Sequence, residues 1–117
     1  MAQVTIYHNP RCSKSRQTLQ LLEQHGIEPT VVEYLKTPPS VTELKTLVKR
    51  LGFNSARELM RSKEDAYKAL NLGDETNESA LLQAMIDEPK LIERPIVVVG
   101  EQARLGRPPE AVLELLS

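Results

Sequence analysis

Cysteine is nearly absent: the 117 residues hold a single thiol, Cys12. An internal disulfide is therefore excluded, and a lone thiol in a reducing cytosol is either buried and inert or reactive. Tryptophan is missing and aromatic residues make up only 3% of the chain, so aliphatic side chains must fill the core. The same shortage excludes the aromatic platforms on which single-stranded nucleic acid stacks. Charge of one sign is not in excess: the formal net charge is −1, so any anion recognition must come from a local cluster. Long apolar runs are missing too, which excludes a membrane-spanning helix. The segment Met1–Tyr7 lacks the basic-then-apolar layout of a secretory signal, and a cytoplasmic location is expected. One cysteine and two scattered histidines, His8 and His25, lack ligand spacing, so no metal site is expected.

What is present suits one α/β domain. The length fits a single domain, and the 40% apolar share is ordinary for a globular protein. Val4–Tyr7 reads as a strand halted at Asn9-Pro10. A helix is expected from near Ser13 to His25, with Leu19 and Leu22 inward and Gly26 as its stop. Thr30–Tyr34 is rich in β-branched residues and reads as a second strand. After Pro38-Pro39, Ser40 and Glu43 form a capping-box pattern. Val41, Leu44, Leu47, Val48 and Leu51 then recur at helical spacing up to Gly52. One or two short helices are expected within 55–71, and a loop with an N-cap over 72–77. Leu81, Leu82, Met85 and Ile86 mark another helix closed by Pro89. Pro95–Gly100 reads as a central strand, Ala103–Leu105 as its hairpin partner, and Pro108-Pro109 as the start of a last helix with Val112, Leu115 and Leu116 inward. The order βαβ, helices, β-hairpin, helix requires a mixed sheet, as in the thioredoxin architecture with a helical insert over about 40–90.

The chemistry concentrates at residues 8–16, His-Asn-Pro-Arg-Cys-Ser-Lys-Ser-Arg. Cys12 falls between a strand end and a helix start. The first N–H groups of a helix lack internal partners and the helix dipole favours negative charge there, so both a thiolate and a bound oxyanion are stabilised. Arg11, Lys14 and Arg16 add positive charge, Arg16 being counted among the oxyanion-binding candidates; Ser13 and Ser15 offer hydrogen bonds. A lowered Cys12 pKa and a nucleophilic thiolate are expected. The alternative is a small apolar residue packed at a turn. His8 is a cap or a group that tunes the thiol; His25 is a dipole partner at a helix end. The arginine of a phosphatase loop, six positions after its cysteine, is here Thr18, and the second cysteine of a dithiol motif is here Ser15. Any redox cycle must therefore be completed by an external thiol. Farther along, Arg94-Pro95 precedes the central strand and Arg104-Leu-Gly-Arg107-Pro follows it. These arginines suit bidentate oxyanion clamping, or simply pair with surface carboxylates.

With these motifs in order, the chain resembles the glutaredoxin-linked arsenate reductase family along nearly its whole length. The resemblance rests on Val-Thr-Ile-Tyr-His-Asn-Pro-x-Cys12, Arg94-Pro95-Ile-Val-Val and Arg104-Leu-x-Arg107-Pro. It implies a thioredoxin-like fold with a helical insert and a cis Pro95. It implies attack of Cys12 on arsenate to give a thiol–arsenate adduct, with glutathione as co-substrate, glutaredoxin as resolving partner, and no bound cofactor. By the family's pattern His8 lowers the thiol pKa, Ser15 hydrogen-bonds the thiolate, Arg94 and Arg107 bind the oxyanion, and Arg61 takes a third basic position for which Arg57 also competes. Well-established reductases carry small residues after the cysteine, as in Cys-Gly-Thr-Ser-Arg. The Arg11-Cys12-Ser13-Lys14-Ser15-Arg16 loop resembles a chromosomal branch instead, and the longer C-terminal tail of plasmid-type members is absent. A monomer without nucleic-acid or membrane partners is expected. Two other functions stay open: a glutathione-dependent monothiol oxidoreductase, which would not need the arginine pair, and an Spx-like regulator binding RNA polymerase, whose usual disulfide switch Ser15 removes.

Overall fold

The computed structural model describes residues 3–116. The chain folds as two compact units, residues 1–37 with 94–117, and Pro38–Glu93. The first unit holds four strands, β1 (Val4–Tyr7), β2 (Thr30–Val32), β3 (Ile96–Val99) and β4 (Gln102–Leu105), with the helix α1 (Ser13–Gln24) and a 3₁₀ helix over Pro109–Leu116. The sheet order is β2-β1-β3-β4. β1 pairs parallel with β2 and antiparallel with β3, and β4 returns antiparallel beside β3. This is the mixed α/β, thioredoxin-like sheet that the element order requires.

Register fixes the functional end of the unit. Tyr7 lies opposite both Val32 and Ile96, and Ile96 lies opposite Leu105. The residues after β1, after β2, before β3 and after β4 therefore all emerge at one end of the sheet. Below that end the core is aliphatic: Ile6, Leu22 and Val97 pack with Val112 and Leu115. Ile96, Val97 and Val98 are all buried, as a central strand covered on both faces must be.

The second unit carries α2 (Val41–Arg50), α3 (Asp65–Ala69) and α4 (Glu78–Asp87), joined through 3₁₀ turns at Ala56–Leu59, Leu72–Asp74 and Pro89–Leu91. Leu44 and Leu47 form the buried stripe of α2, and Leu81, Leu82, Ala84 and Met85 that of α4. Ser40 Oγ accepts the Glu43 N–H at 3.1 Å, one half of the expected capping box. Asn77 Oδ1 caps α4 by accepting the Ser79 and Ala80 N–H groups.

Four expectations need correction. The second strand ends at Val32 rather than Tyr34, because the Glu33 carbonyl accepts the N–H groups of Lys36 and Thr37 and turns the chain. Residues 72–74 form a 3₁₀ turn rather than open loop. The inner face of α1 is not purely apolar: beside Leu22 and the half-buried Leu19, which pack on the core, it carries the buried Ser15 and Thr18, because its first turns face a polar site. The last helix is 3₁₀, and its buried residues Pro109, Val112 and Leu115 recur every third position, as a three-residue turn demands.

Candidate active site

Cys12 stands at the N-cap of α1, in the gap between β1 and the helix, and is 8% exposed. Asn9-Pro10 makes the turn: the Cys12 N–H donates to the Asn9 carbonyl at 3.0 Å, and Asn9 Oδ1 accepts the Arg11 N–H at 3.0 Å. The sulfur is thereby set over the free N–H groups that open the helix. Burial alone would raise its pKa. That is outweighed by the backbone N–H of Ser15, by the charge and hydrogen bond of the Arg94 guanidinium, and by the backbone N–H of Lys14. The thiol consequently ionises below its ordinary value of 9.0.

His8 and Ser15 form the underside of the loop. His8 is buried, and its Nδ1 shares a 2.6 Å hydrogen bond with Ser15 Oγ. Ser15 Oγ also accepts the Asn9 N–H at 3.0 Å. The Ser15 hydroxyl is thus engaged with the loop, and it is the Ser15 backbone amide that reaches the sulfur. Burial lowers the His8 pKa; the Glu33 carboxylate opposes this and the Arg16 guanidinium reinforces it. With its pKa below 6.5, His8 is mostly neutral at pH 7.

Arg94 and Arg107 approach from the β3–β4 side. The Arg107 Nε donates to the Arg94 carbonyl at 2.9 Å, and its Nη2 points at Cys12 Sγ from 4.0 Å. Arg94 Nε and Nη1 are buried without a hydrogen-bond partner. Unsatisfied buried cationic donors are costly, and a buried anion beside Cys12 would remove that cost. Both Arg94-Pro95 and Arg107-Pro108 are cis, the second unforeseen in the sequence.

Four other arginines are engaged elsewhere. Arg16 Nη1 donates to the Pro10 carbonyl at 2.9 Å, which braces the loop. Arg104 pairs with Glu114 at 3.3 Å, the surface pairing that remained an alternative for these arginines. Arg57 and Arg61 belong to the second unit. Arg57 donates to the Tyr67 hydroxyl, the Leu72 carbonyl and the Glu75 carbonyl, whereas Arg61 lies against Glu64 at 3.0 Å and Glu93 at 3.9 Å. Among the described residues, no group of three His, Cys, Asp or Glu side chains is placed to hold a metal ion. Nor is any helix long and apolar enough to cross a membrane.

Three contributors were missed in the sequence. Glu33, just past β2, faces His8. Thr18 is fully buried, and its hydroxyl donates to the Lys14 carbonyl at 2.8 Å. Gly106 donates its N–H to the Pro95 carbonyl at 2.9 Å. A Cβ there would fall 2.7 Å from Pro95 Cγ and still closer to Thr18 Oγ1. The signal for Gly106 was available, since it separates Leu105 from Arg107 where a side chain would otherwise stand.

The chain is similar to known proteins along nearly its whole length. Residues 7–115 match the model of the ArsC family. The chain is 64% identical over 97% of its length to the uncharacterized protein YfgD of Escherichia coli K12, of which 97% is covered. It is 50% identical over 97% of its length to an arsenate reductase of Haemophilus influenzae, of which 98% is covered. Among solved structures, an arsenate reductase from Vibrio cholerae superimposes with a TM-score of 0.95 at 61% identity, over 97% of this chain and 98% of that one. A cysteine on a helix N-cap, the cis Arg94-Pro95 bond and the thioredoxin-like sheet thus occur in a chain that belongs to the ArsC family.

Proposed function

We propose that the protein is a glutathione- and glutaredoxin-linked arsenate reductase with Cys12 as its nucleophile, working in the cytoplasm. The observation that carries this reading is the Arg94 guanidinium beside a thiol of lowered pKa, with its buried Nε and Nη1 left without hydrogen-bond partners. A disulfide substrate would have no use for such donors; a tetrahedral oxyanion satisfies them.

In this mechanism the Cys12 thiolate attacks arsenic, an As–S bond forms, and one arsenate oxygen leaves as water after protonation. Arg94 and Arg107 bind the remaining oxygens, with Arg16 adding positive charge at the loop. The His8–Ser15 pair holds the loop so that the Ser15 amide stays on the sulfur, and Pro95 sets the Arg94 backbone beside it. Glutathione thiolate then attacks the Cys12 sulfur. The S–As bond breaks with its electron pair passing to arsenic, As(V) becomes As(III), and the two sulfurs are oxidised to a mixed disulfide. Glutaredoxin reduces that disulfide and restores Cys12.

The test is NADPH consumption by purified protein with arsenate, glutathione, glutaredoxin and glutathione reductase. Arsenate-dependent consumption that Cys12→Ser abolishes is expected. No consumption above background would overturn the reading, and turnover of a glutathione mixed disulfide without arsenate would move the protein to the monothiol oxidoreductases.

A further inference from the structure

Beside the thiol loop, on the flank away from Arg94 and Arg107, lies a cavity of about 350 Å³. It is lined by His8, Asn9, Pro10 and Arg11 after β1 and by Glu33, Leu35 and Lys36 after β2. Sheet order places it: β2 and the arginine-bearing ends of β3 and β4 stand on opposite sides of β1. We propose that this cavity seats glutathione for the reductive step, an inference that rests on the arsenate reductase reading above.

Three observations point to this occupant. The first is direction. Displacement at a divalent sulfur is collinear, so a thiolate expelling arsenic from Cys12 must arrive opposite the S–As bond. With the oxyanion on Arg94 and Arg107, on the β3–β4 side, the opposite flank is that of β2, where Arg11, the residue next to Cys12, lines the cavity wall. The second is charge. Glutathione carries two carboxylates and one ammonium; the cavity offers two cations, Arg11 and Lys36, and one carboxylate, Glu33. Lys36 and Glu33 meet each other at 3.4 Å, with the lysine side chain 80% exposed. An exposed pair of this kind is weakly held and can exchange partners. The third is shape. The volume falls in the range of small-ligand sites, and Pro10 and Leu35 supply apolar walls for the methylene stretches of the tripeptide. Leu35, otherwise an apolar side chain left 40% exposed, gains a partner.

The bond changes are those of the reductive step. The glutathione thiol loses its proton to solvent, an S–S bond forms to Cys12, the S–As bond breaks, and arsenic takes the electron pair. The cavity holds the peptide and leaves the sulfur chemistry to Cys12.

The experiment titrates glutathione into isotope-labelled Cys12→Ser protein, which cannot form the mixed disulfide, and follows the amide resonances. Saturable shifts at Asn9, Arg11, Leu35 and Lys36 are expected, with Lys36→Glu weakening binding about tenfold. Shifts centred on Arg94, Gly106 and Arg107 instead, or no saturable shift, would overturn the proposal. In the coupled assay Lys36→Glu is expected to raise the KM for glutathione about tenfold and leave that for arsenate unchanged. If arsenate turnover is intact and the glutathione KM does not move, the cavity assignment falls and the reductase reading stands. If glutathione binds in the cavity and arsenate is never turned over, the reductase reading falls alone.

Discussion

At the scale of single residues, the loop separates jobs that a sequence motif merges. Ser15 acts through two groups: its amide on the sulfur, its hydroxyl on His8 and Asn9. Ser15→Ala should therefore leave Cys12 nearly as acidic as before, because the amide remains. It should cost about 1–3 kcal/mol of stability, because buried His8 Nδ1 loses its partner. Urea unfolding and the pH profile of alkylation measure the two effects separately; a large rise in the alkylation midpoint would mean that the hydroxyl acts on the sulfur directly. Arg94 is the opposite case. Its charge and hydrogen bond are among the causes that hold the thiol below 9.0. Arg94→Gln should raise the alkylation midpoint and cut kcat/KM for arsenate by about 10²–10³, the loss typical of a preorganised donor to an oxyanion.

Secondary-structure elements were legible wherever a local signal decided them. Ser40 and Asn77 mark helix starts because their side chains reach N–H groups two or three residues on. Gly26 and Gly52 mark helix ends because each takes a positive φ, 74° and 79°. Signals that depend on tertiary partners were not legible. Ser15 and Thr18 occupy the inner face of α1, where apolar residues were sought, because the facing surface there is the loop and Gly106 rather than the aliphatic core. The same contact yields a prediction. Gly106→Ala forces Thr18 and Pro95 apart, and overpacking of this kind costs about 1–3 kcal/mol. Thermal unfolding should show that loss, and Thr18→Ala in the same chain should recover part of it by removing the hydroxyl from the clash. Recovery would place the strain between α1 and the Arg94–Pro95 turn; its absence would place it in the backbone of the Leu105–Arg107 turn.

At the scale of the whole molecule, the site exists because four strand ends meet. Cys12 and its neighbours were readable, being within nine residues of one another. Arg94 and Arg107 come to Cys12 only through the registers Tyr7–Ile96 and Ile96–Leu105, which no local pattern encodes; they were singled out by residue type and by family resemblance. The cavity beneath Arg11 also needs the β1–β2 pairing, and so escaped notice. Gathering a buried histidine and an acidic thiol at one end gives stability a defined pH dependence. His8 has a lowered pKa, so between its folded value and 6.5 the unfolded chain binds the proton that the folded chain refuses. Stability therefore rises with pH through that window and is lost as pH falls through it. Cys12 is an acid with a lowered pKa, so between its folded value and 9.0 the unfolded chain again holds more protons. Stability rises with pH there too, and this contribution is lost as pH falls through the folded value. Urea midpoints measured across pH should climb in two steps, one below 6.5 and one below 9.0. His8→Asn should flatten the lower step and Cys12→Ser the upper. Since Ser15 stands between His8 and Cys12, each variant should leave the other step in place; if Cys12→Ser erased both, the two groups would titrate as one unit.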